Sequence, residues 1–264
     1  MAAEFSTHTA RPRTDAGGSR VAARLPILGL LRAGLLLGFV ALWEVGTRME
    51  WIDPFFYGSP SGIATSLAGQ FTSGSIWKHL GATVTEALLG LGLGFLVGAL
   101  VGWLAAERRL LGQLIEPIMA LLNAIPRIVL APLFILWLGF DTSSRVALAF
   151  IMVFVAIFFA VYHGIREVDP VLVERVRVLG GSSRDVLYLV YIPSVAAWVF
   201  SSLRLAVGFA FTGALVGEVM AGNRGLGYLM NLALNSQNAD LMMATVILIM
   251  AMIIAVFALV GRVE

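Results

Sequence analysis

The chain has 264 residues, of which 59% are hydrophobic and 13% are charged, and its formal net charge is +2. Its mean hydropathy of +0.91 places it among integral membrane proteins and excludes an ordinary soluble domain. Cysteine is absent, which excludes disulfides, thiolate metal sites and cysteine nucleophiles. The apolar runs are continuous and do not alternate with period two, so helices are expected and a β-barrel is excluded.

Six apolar stretches are long enough to cross a bilayer, which takes roughly 20 residues in a helix. Short loops join them, so we expect one all-α integral membrane domain over residues 27–264. The preceding residues 1–26 have the composition of a disordered cytosolic tail, and the first apolar run is interpreted as a retained anchor. The stretches, called spans one to six, lie at about 27–48, 82–106, 113–138, 145–165, 195–220 and 241–261.

The placement of arginine predicts the orientation of the spans. Arginines gather in the N-terminal tail, after span two and after span four. The positive-inside rule therefore places both termini, and the charged residues 166–190, in the cytosol. The alternate, outer loops are poorer in positive charge and hold Arg48, Lys78, Arg145 and Arg224.

Span two carries a glycine at every fourth position. Glycines at this spacing share one slowly drifting helix face, and small residues allow a close approach of another helix in lipid. We therefore predict a helix-packing face made of Gly90, Gly94, Gly98 and Gly102.

Span three is interrupted near its middle, at residues 123–127 (Asn-Ala-Ile-Pro-Arg). Proline frees a backbone carbonyl one turn earlier, which neighbours or water in a cavity must satisfy. Arg127 lies about 20 Å past the cytosolic entry, and a charge at such depth is a functional candidate. It is expected either to line a translocation pathway with Asn123 and Pro126, or to form a structural ion pair with Glu218 or Glu86.

Polar residues also mark the outer end of span five. Glu218 and Asn223 lie beside the glycine-rich residues 222–227 and suit contact with a solute or a docking partner. The alternative is a plain helix end followed by a turn. Arg204, deeper in span five, is expected to snorkel or to pair with a carboxylate.

The stretch between spans four and five has the pattern of two short helices. The Asp-Pro pair at 169–170 is a helix start, because aspartate caps and proline suits the first turn. Two glycines at 180–181 end this helix or bend it, and a serine at 182 or 183 caps a second one. Pro193 then marks the entry into span five. We call residues 169–193 the charged segment and predict that its amphipathic surface docks another protein.

The charged segment resembles the EAA loop of ABC importer permeases. That loop has a glutamate, a glycine six residues later and, after nine further residues, an aliphatic-x-aliphatic-proline run. The matching positions are Glu174, Gly180, Val190, Ile192 and Pro193. One departure is clear: Arg175 and Val176 replace the two alanines that usually follow the glutamate, which changes the surface offered to a partner.

Further matches extend the resemblance from about Tyr57 to the C-terminus and favour the nitrate/sulfonate/taurine subfamily of these permeases. They lie at residues 123–126, 132–139, 162–165, 202–206 and 225–228. Members of this subfamily also carry other organic substrates. Family members often continue into a basic cytosolic tail, so we expect the end at Glu264 to be truncated.

The resemblance implies the type I importer fold: six transmembrane helices and a cytosolic coupling helix, in the bacterial cytoplasmic (inner) membrane. It implies a second permease copy in a homodimer, two copies of an ABC ATPase subunit, an extracytoplasmic solute-binding protein and surrounding membrane lipid. ATP and Mg are expected in the ATPase, and no catalytic residue, metal, cofactor or nucleic-acid partner is expected for this chain. Coupling to the ATPase is expected to rest on Glu174, Arg175, Val176, Leu179, Gly180, Ser183 and Pro193.

The energy source can be argued from the residues as well. The chain has one lysine, Lys78, and no phosphate-binding loop, so ATP would be bound by another chain. We therefore predict the permease subunit of an ATP-driven importer for a small anionic solute, such as nitrate, a sulfonate, taurine or a related organic compound.

Three alternatives remain. An ion-coupled secondary transporter would show internal repeats and midplane acidic residues. An ABC importer of another solute, such as a pyrimidine precursor or an aromatic acid, would share every feature above. A membrane enzyme would need a cluster of His, Asp and Glu at one membrane face, and the sequence contains none.

Overall fold

The computed structural model describes residues 24–262, with side chains from residue 29 onward. All regular structure in this range is helical, which confirms the predicted all-α class. The chain divides into two compact units, residues 1–53 and residues 54–264, and each is described by itself. The tail predicted over residues 1–26 lies outside the described residues up to position 23.

The first unit contains helix α1, Arg24–Arg48. Its start includes the last three residues that the sequence assigned to the tail, because the helix begins at Arg24. Most of its apolar side chains are exposed, as expected of a helix whose surroundings are lipid. Near its end Glu44 and Arg48 form an ion pair at 2.8 Å, one helical turn apart.

The second unit contains four helices that are long and apolar enough to cross a membrane, and α1 of the first unit is a fifth. A bent pair, α5 and α6, supplies a sixth crossing when it is counted as one span. The helices of this unit are α2 (Pro54–Tyr57), α3 (Pro60–Thr72), α4 (Ser75–Glu107), α5 (Arg109–Ala124), α6 (Ala131–Leu138), α7 (Thr142–Arg166), α8 (Pro170–Val178), α9 (Ser183–Val186), α10 (Ile192–Ala221), α11 (Leu226–Asn235) and α12 (Ala239–Val260).

Helix α7 is the centre of the second unit, and α4 and α10 make the most extensive contacts with it. Its side chains are buried around the helix, including Val153, Ile157 and Phe158, each fully covered. A helix that is apolar on all sides belongs at the centre of a bundle, because each face needs an apolar neighbour. Helix α4 begins at Ser75, seven residues before the start predicted from hydropathy, because helical structure continues past the apolar run.

The glycines of α4 face α7. All four, at positions 90, 94, 98 and 102, are buried. A Cβ atom built on Gly98 would come within 2.8 Å of the Phe154 carbonyl oxygen, and one on Gly102 would meet the Phe158 carbonyl oxygen at the same distance. The two backbones therefore approach too closely for any larger residue at these positions.

The interruption in the third span is a sharp bend. Helix α5 ends at Ala124, a 3₁₀ turn covers Arg127–Leu130, and α6 follows at once. The two halves meet at 96°. Pro126 lies at the corner in an extended conformation, because proline lacks the amide hydrogen that would continue the helix.

Helix α11 follows the glycine-rich turn after α10 and was not predicted from the sequence. It returns along α10 and α12, and it buries Leu226 and Leu229. The start of α12 is tied to α3, because the Asp240 carboxylate accepts a hydrogen bond from the Ser59 amide at 2.8 Å. These contacts close the end of the bundle at which the glycine-rich turn lies.

Candidate docking segment and polar sites of the membrane domain

The first half of the charged segment is the short helix α8. The Asp169 side chain caps it by accepting from the Val171 amide at 2.9 Å, and Pro170 occupies its first position. The helix ends at Val178, and Gly180 follows with a φ of +84°. Only glycine adopts this left-handed backbone without strain. The residue that the sequence comparison picks out at position 180 is thus required by the turn itself.

The second half of the charged segment passes without a break into α10. Ser182 and Asp185 form a reciprocal capping box at the start of α9, so Ser182 is the cap and Ser183 is the first helical residue. A π-helical turn, Leu187–Tyr191, then leads into α10. Pro193 is the second residue of α10, and its missing amide hydrogen falls directly after the π-helical turn, where the α-helical bonding pattern is already interrupted. A displacement of α9 is therefore transmitted along a continuous helical path.

The tip of the charged segment exposes apolar side chains. Leu179 is 87% exposed and Val178 is 86% exposed, beside the exposed Glu174 and Arg175. Val176 is half-buried, because it packs beneath the glycine pair. Large exposed apolar groups rimmed by charge are typical of a protein-docking surface. Sequence reasoning missed Val178, although its place next to Leu179 at the end of an amphipathic helix is a usable signal.

Arg127 is held at the bend of the third span. Its guanidinium donates to the Met152 carbonyl oxygen of α7 at 2.9 Å and to the Asn123 side-chain oxygen. It also lies 5.1 Å from the centre of the Phe209 ring, a cation–π contact. Among the side chains of residues 29–262 it forms no ion pair, so the second of the two alternatives, a structural pair with Glu218 or Glu86, is wrong.

The reason is that Glu86 has another partner, Arg145. Their Nε and Oε1 atoms lie 2.9 Å apart, and both residues are 1% exposed. Arg145 also donates to the Ala221 carbonyl oxygen at 3.2 Å and to the Thr142 hydroxyl at 3.0 Å. The sequence assigned Arg145 to an outer loop, but it lies in the first turn of α7 with its side chain turned inward.

Glu218 organises the glycine-rich turn. Its carboxylate accepts from the Gly227 amide at 2.8 Å, while the Thr83 hydroxyl accepts from the Leu226 amide at 2.9 Å. Gly225 has a φ of +108°, and a Cβ atom there would overlap the Glu218 carboxylate. Asn223 is exposed at the tip of the turn. The fully buried Glu218 thus has a structural task, which sequence reasoning left open as one of two possibilities.

A small recess opens beside this turn. Its volume is about 180 Å³, and Lys78, Thr85, Thr142 and Arg224 line it. Glu86 forms part of its floor, where Arg145 offsets the carboxylate charge. The two exposed cations, Lys78 and Arg224, therefore give this recess a positive potential.

Comparisons with known proteins agree with this arrangement. Residues 90–264 match the family described as binding-protein-dependent transport system inner membrane component. The chain is 29% identical to the putative aliphatic sulfonates transport permease protein SsuC of Escherichia coli, over 86% of this chain and 84% of that protein. It is 30% identical to the riboflavin transport system permease protein RibX of Chloroflexus aurantiacus, over 90% of this chain and 88% of that one.

The taurine transport system permease protein TauC of Escherichia coli is 26% identical over 83% of this chain and 82% of that protein. Among solved structures, the inward-facing MetNI methionine ABC transporter matches with a TM-score of 0.59 and 17% identity, covering 69% of this chain and 91% of the matched chain. That likeness shows the type I importer fold. The chain therefore belongs to the binding-protein-dependent inner-membrane permeases of ABC importers. It is a transport subunit, and a partner ATPase hydrolyses the ATP.

Proposed function

We propose that this chain imports a small organic solute that carries an anionic group, such as an alkanesulfonate or taurine, and that the charged segment couples its transport to the ATPase. The observation that carries the coupling role is the exposed apolar tip at Val178 and Leu179, which the glycine turn links to the continuous helical stretch Ser183–Ala221. Family membership indicates an ABC importer, which works with an ATPase subunit and a binding protein. The geometry supports the assignment of the docking surface.

Docking is proposed to place α8 in a groove of the ATPase. Leu179 and Val178 bury their apolar surface there, while Glu174 and Arg175 contact polar groups at its rim. The replacement of two small residues by Arg175 and Val176 adds volume and charge, so the matching groove is expected to be wider and to carry acidic groups. Each ATPase of the family's usual pair would receive one charged segment from a homodimer of this chain.

Transport follows from the connection between the charged segment and α10. ATP, with Mg, binds in the ATPase and draws two docked segments together. Because α9 and α10 are continuous, α10 moves with its segment, and α7 and α4 move with α10 through their buried contacts. The permease then alternates between inward-open and outward-open states as a rigid-body rearrangement. The orientation predicted from the arginine distribution, which we adopt in this proposal, places both termini in the cytosol.

The proposed charge of the solute rests on the outer recess and on the relatives. Lys78 and Arg224 attract anions to this recess. Two of the relatives are named for sulfonates and taurine. Asn123, Pro126 and Arg127 are proposed to line the pathway at the bend, where Arg127 supplies a fixed positive charge. Glu218 and Asn223 are proposed to act through the shape of the outer turn. Because other relatives are named for riboflavin and formylaminopyrimidine, an importer of a neutral organic solute is the alternative.

Uptake by proteoliposomes tests the proposal. The chain is reconstituted with its ATPase and binding protein, and uptake of taurine, an alkanesulfonate and riboflavin is measured with and without ATP. We expect ATP-dependent uptake of the sulfonates. Uptake driven by a proton or sodium gradient without the ATPase would refute the ABC mechanism, and uptake of riboflavin alone would refute the anionic solute.

The coupling role is tested at Gly180. Gly180→Pro cannot adopt the φ of +84°, so we expect loss of uptake and of ATPase binding in a protein that still inserts. Gly74→Pro is the matched control, since Gly74 also has a left-handed backbone, with a φ of +70°, and lies away from the charged segment. Normal uptake in Gly180→Pro, or equal loss in both variants, would contradict the assignment.

The pathway role is tested at Arg127. Arg127→Met keeps an apolar contact with Phe209 but removes the charge. We expect slower uptake of anionic solutes, with the assembled complex still recovered. Unchanged uptake in an intact complex would leave Arg127 as a structural group that only ties the bend to α7.

A further inference from the structure

Two glutamates lie side by side in the interior of the second unit, at the end of the bundle that holds the glycine-rich turn. Glu86 of α4 is 1% exposed and Glu218 of α10 is 0% exposed. Their carboxylates are within hydrogen-bonding reach of each other. Two ionised carboxylates repel at this range, and burial also removes their hydration. The arrangement therefore requires either compensating positive charge or a hydrogen between the two groups.

The buried positive charge next to this pair is a single guanidinium. Arg145 of α7 is 1% exposed, and its Nε atom lies 2.9 Å from the Glu86 Oε1 atom. Its two terminal amino groups donate elsewhere, to the Ala221 carbonyl oxygen and the Thr142 hydroxyl. One guanidinium offsets one carboxylate, so a second negative charge would remain in the interior.

The other charged or titratable groups that face the pair, among residues 29–262, lie at the surface or contact backbone. Lys78 and Arg224 line the recess above Glu86, but both are exposed, so solvent and salt screen them. The His79 ring contacts the backbone of Gly225, with Nδ1 3.2 Å from both the amide nitrogen and the carbonyl oxygen. None of these groups replaces a second buried cation.

Hydrogen-bond donors to the two carboxylates are few as well. Glu218 accepts from the Gly227 amide with its Oε2 atom. Among the described residues, its Oε1 atom and both Glu86 oxygens are buried without a hydrogen-bond donor. The Thr83 hydroxyl nearby donates to the His79 carbonyl oxygen at 3.2 Å. Buried acceptors without a donor are rare and costly, and one hydrogen between the carboxylates would satisfy both and remove the excess charge.

We propose that Glu86 and Glu218 share one proton and so form a buried clasp between α4 and α10. Arg145 offsets the one negative charge that remains and ties the clasp to α7. Loss of the proton leaves two carboxylates against one guanidinium, so α4 and α10 separate at this end. Because Glu218 holds the glycine-rich turn through Gly227, the turn then opens. The proton is thus a ligand that keeps this end of the bundle closed.

The pH dependence of stability tests the clasp. Unfolding of the full-length permease by dodecyl sulfate is measured between about pH 7 and 9, above the usual titration of histidine and below that of lysine. The folded protein holds a proton that the unfolded glutamates release, so stability falls as the pH rises. For one proton the folding equilibrium constant falls by at most about tenfold per pH unit. An equilibrium constant that stays the same over this range would overturn the proposal.

Two variants assign the pH dependence to this pair. Glu218→Gln supplies the hydrogen permanently, since its amide donates to Glu86 and its oxygen still accepts from Gly227, so we expect a folded protein without the pH dependence. Glu116→Gln is the matched control, because that glutamate already has a donor, the Tyr162 hydroxyl at 2.7 Å. It should keep the wild-type pH dependence. An unchanged pH dependence in Glu218→Gln, or its loss in both variants, would overturn the proposal.

Infrared spectroscopy of the wild-type protein detects the proton directly and does not depend on how well a variant folds. At neutral pH we expect the carbonyl stretch of one protonated carboxylic acid, which disappears as the pH rises. Absence of this band, or stability that follows sodium or potassium concentration instead of pH, would overturn the shared proton. These measurements need neither ATP nor a partner protein, so their outcome is independent of the proposed transport function.

Discussion

The buried pair of Glu86 and Arg145 predicts an asymmetric loss of stability. Arg145→Met leaves the Glu86 carboxylate at 1% exposure without its cation, and breaking a buried pair in this way costs about 3–5 kcal/mol. Glu86→Gln should cost less, about 1–3 kcal/mol, because Arg145 keeps Ala221 and Thr142 as acceptors. Among the described residues the Arg145 Nε–H has no aligned hydrogen bond despite the 2.9 Å distance, which favours the lower end of both ranges.

The double variant Glu86→Leu/Arg145→Met tests the reasoning most directly. Apolar side chains of similar volume remove both charges together, so we expect much of the stability lost in Arg145→Met to return. The free energy of unfolding is measured by titrating the purified permease from mild detergent into dodecyl sulfate, followed by circular dichroism. Arg48→Gln removes the 73% exposed cation of the ion pair on α1. It is the control and should change the free energy of unfolding by about 0.5 kcal/mol or less. Additive losses in the double variant would refute the idea that the two charges matter chiefly to each other.

Three further predictions concern close contacts. Gly98→Ile should destabilise the bundle by about 1–3 kcal/mol through overpacking against α7, whereas Gly92→Ile, which meets nothing within 4 Å, should be neutral in a thermal unfolding assay. Gly225→Ala should slow uptake and lower the melting temperature, because its left-handed backbone and the carboxylate beneath it leave no room for a methyl group, while Gly69→Ala should do neither. Val178→Ser should weaken ATPase binding in a pull-down without changing the melting temperature; unchanged binding would remove this residue from the docking surface.

Much of the architecture could be predicted from the sequence, because hydropathy and caps are local signals. The charged segment is the clearest case: the Asp169 cap, the glycine turn and the entry at Pro193 all follow from residue types with strong backbone preferences. The four glycines of span two could likewise be grouped on one face from spacing alone.

The polar contacts could not be predicted in the same way. Arg145 lies at the end of an apolar run, where hydropathy does not distinguish a side chain that faces water from one that turns inward to Glu86. Arg127 binds a backbone carbonyl of Met152, an acceptor that every residue carries and that no pattern marks. The 96° bend at Pro126 depends on what packs at the corner, so proline predicted an interruption but no angle.

The π-helical turn between α9 and α10 has a consequence for partner exchange. A π turn holds one residue more than an α turn, and each residue added to an α-helix rotates what precedes it by about 100°. The turn Leu187–Tyr191 thus sets the direction in which Val178 and Leu179 point around the α10 axis. Deleting one residue from this turn would leave every side chain of α8 intact and aim it elsewhere. A chimaera that borrows another permease's docking helix must therefore borrow this turn with it.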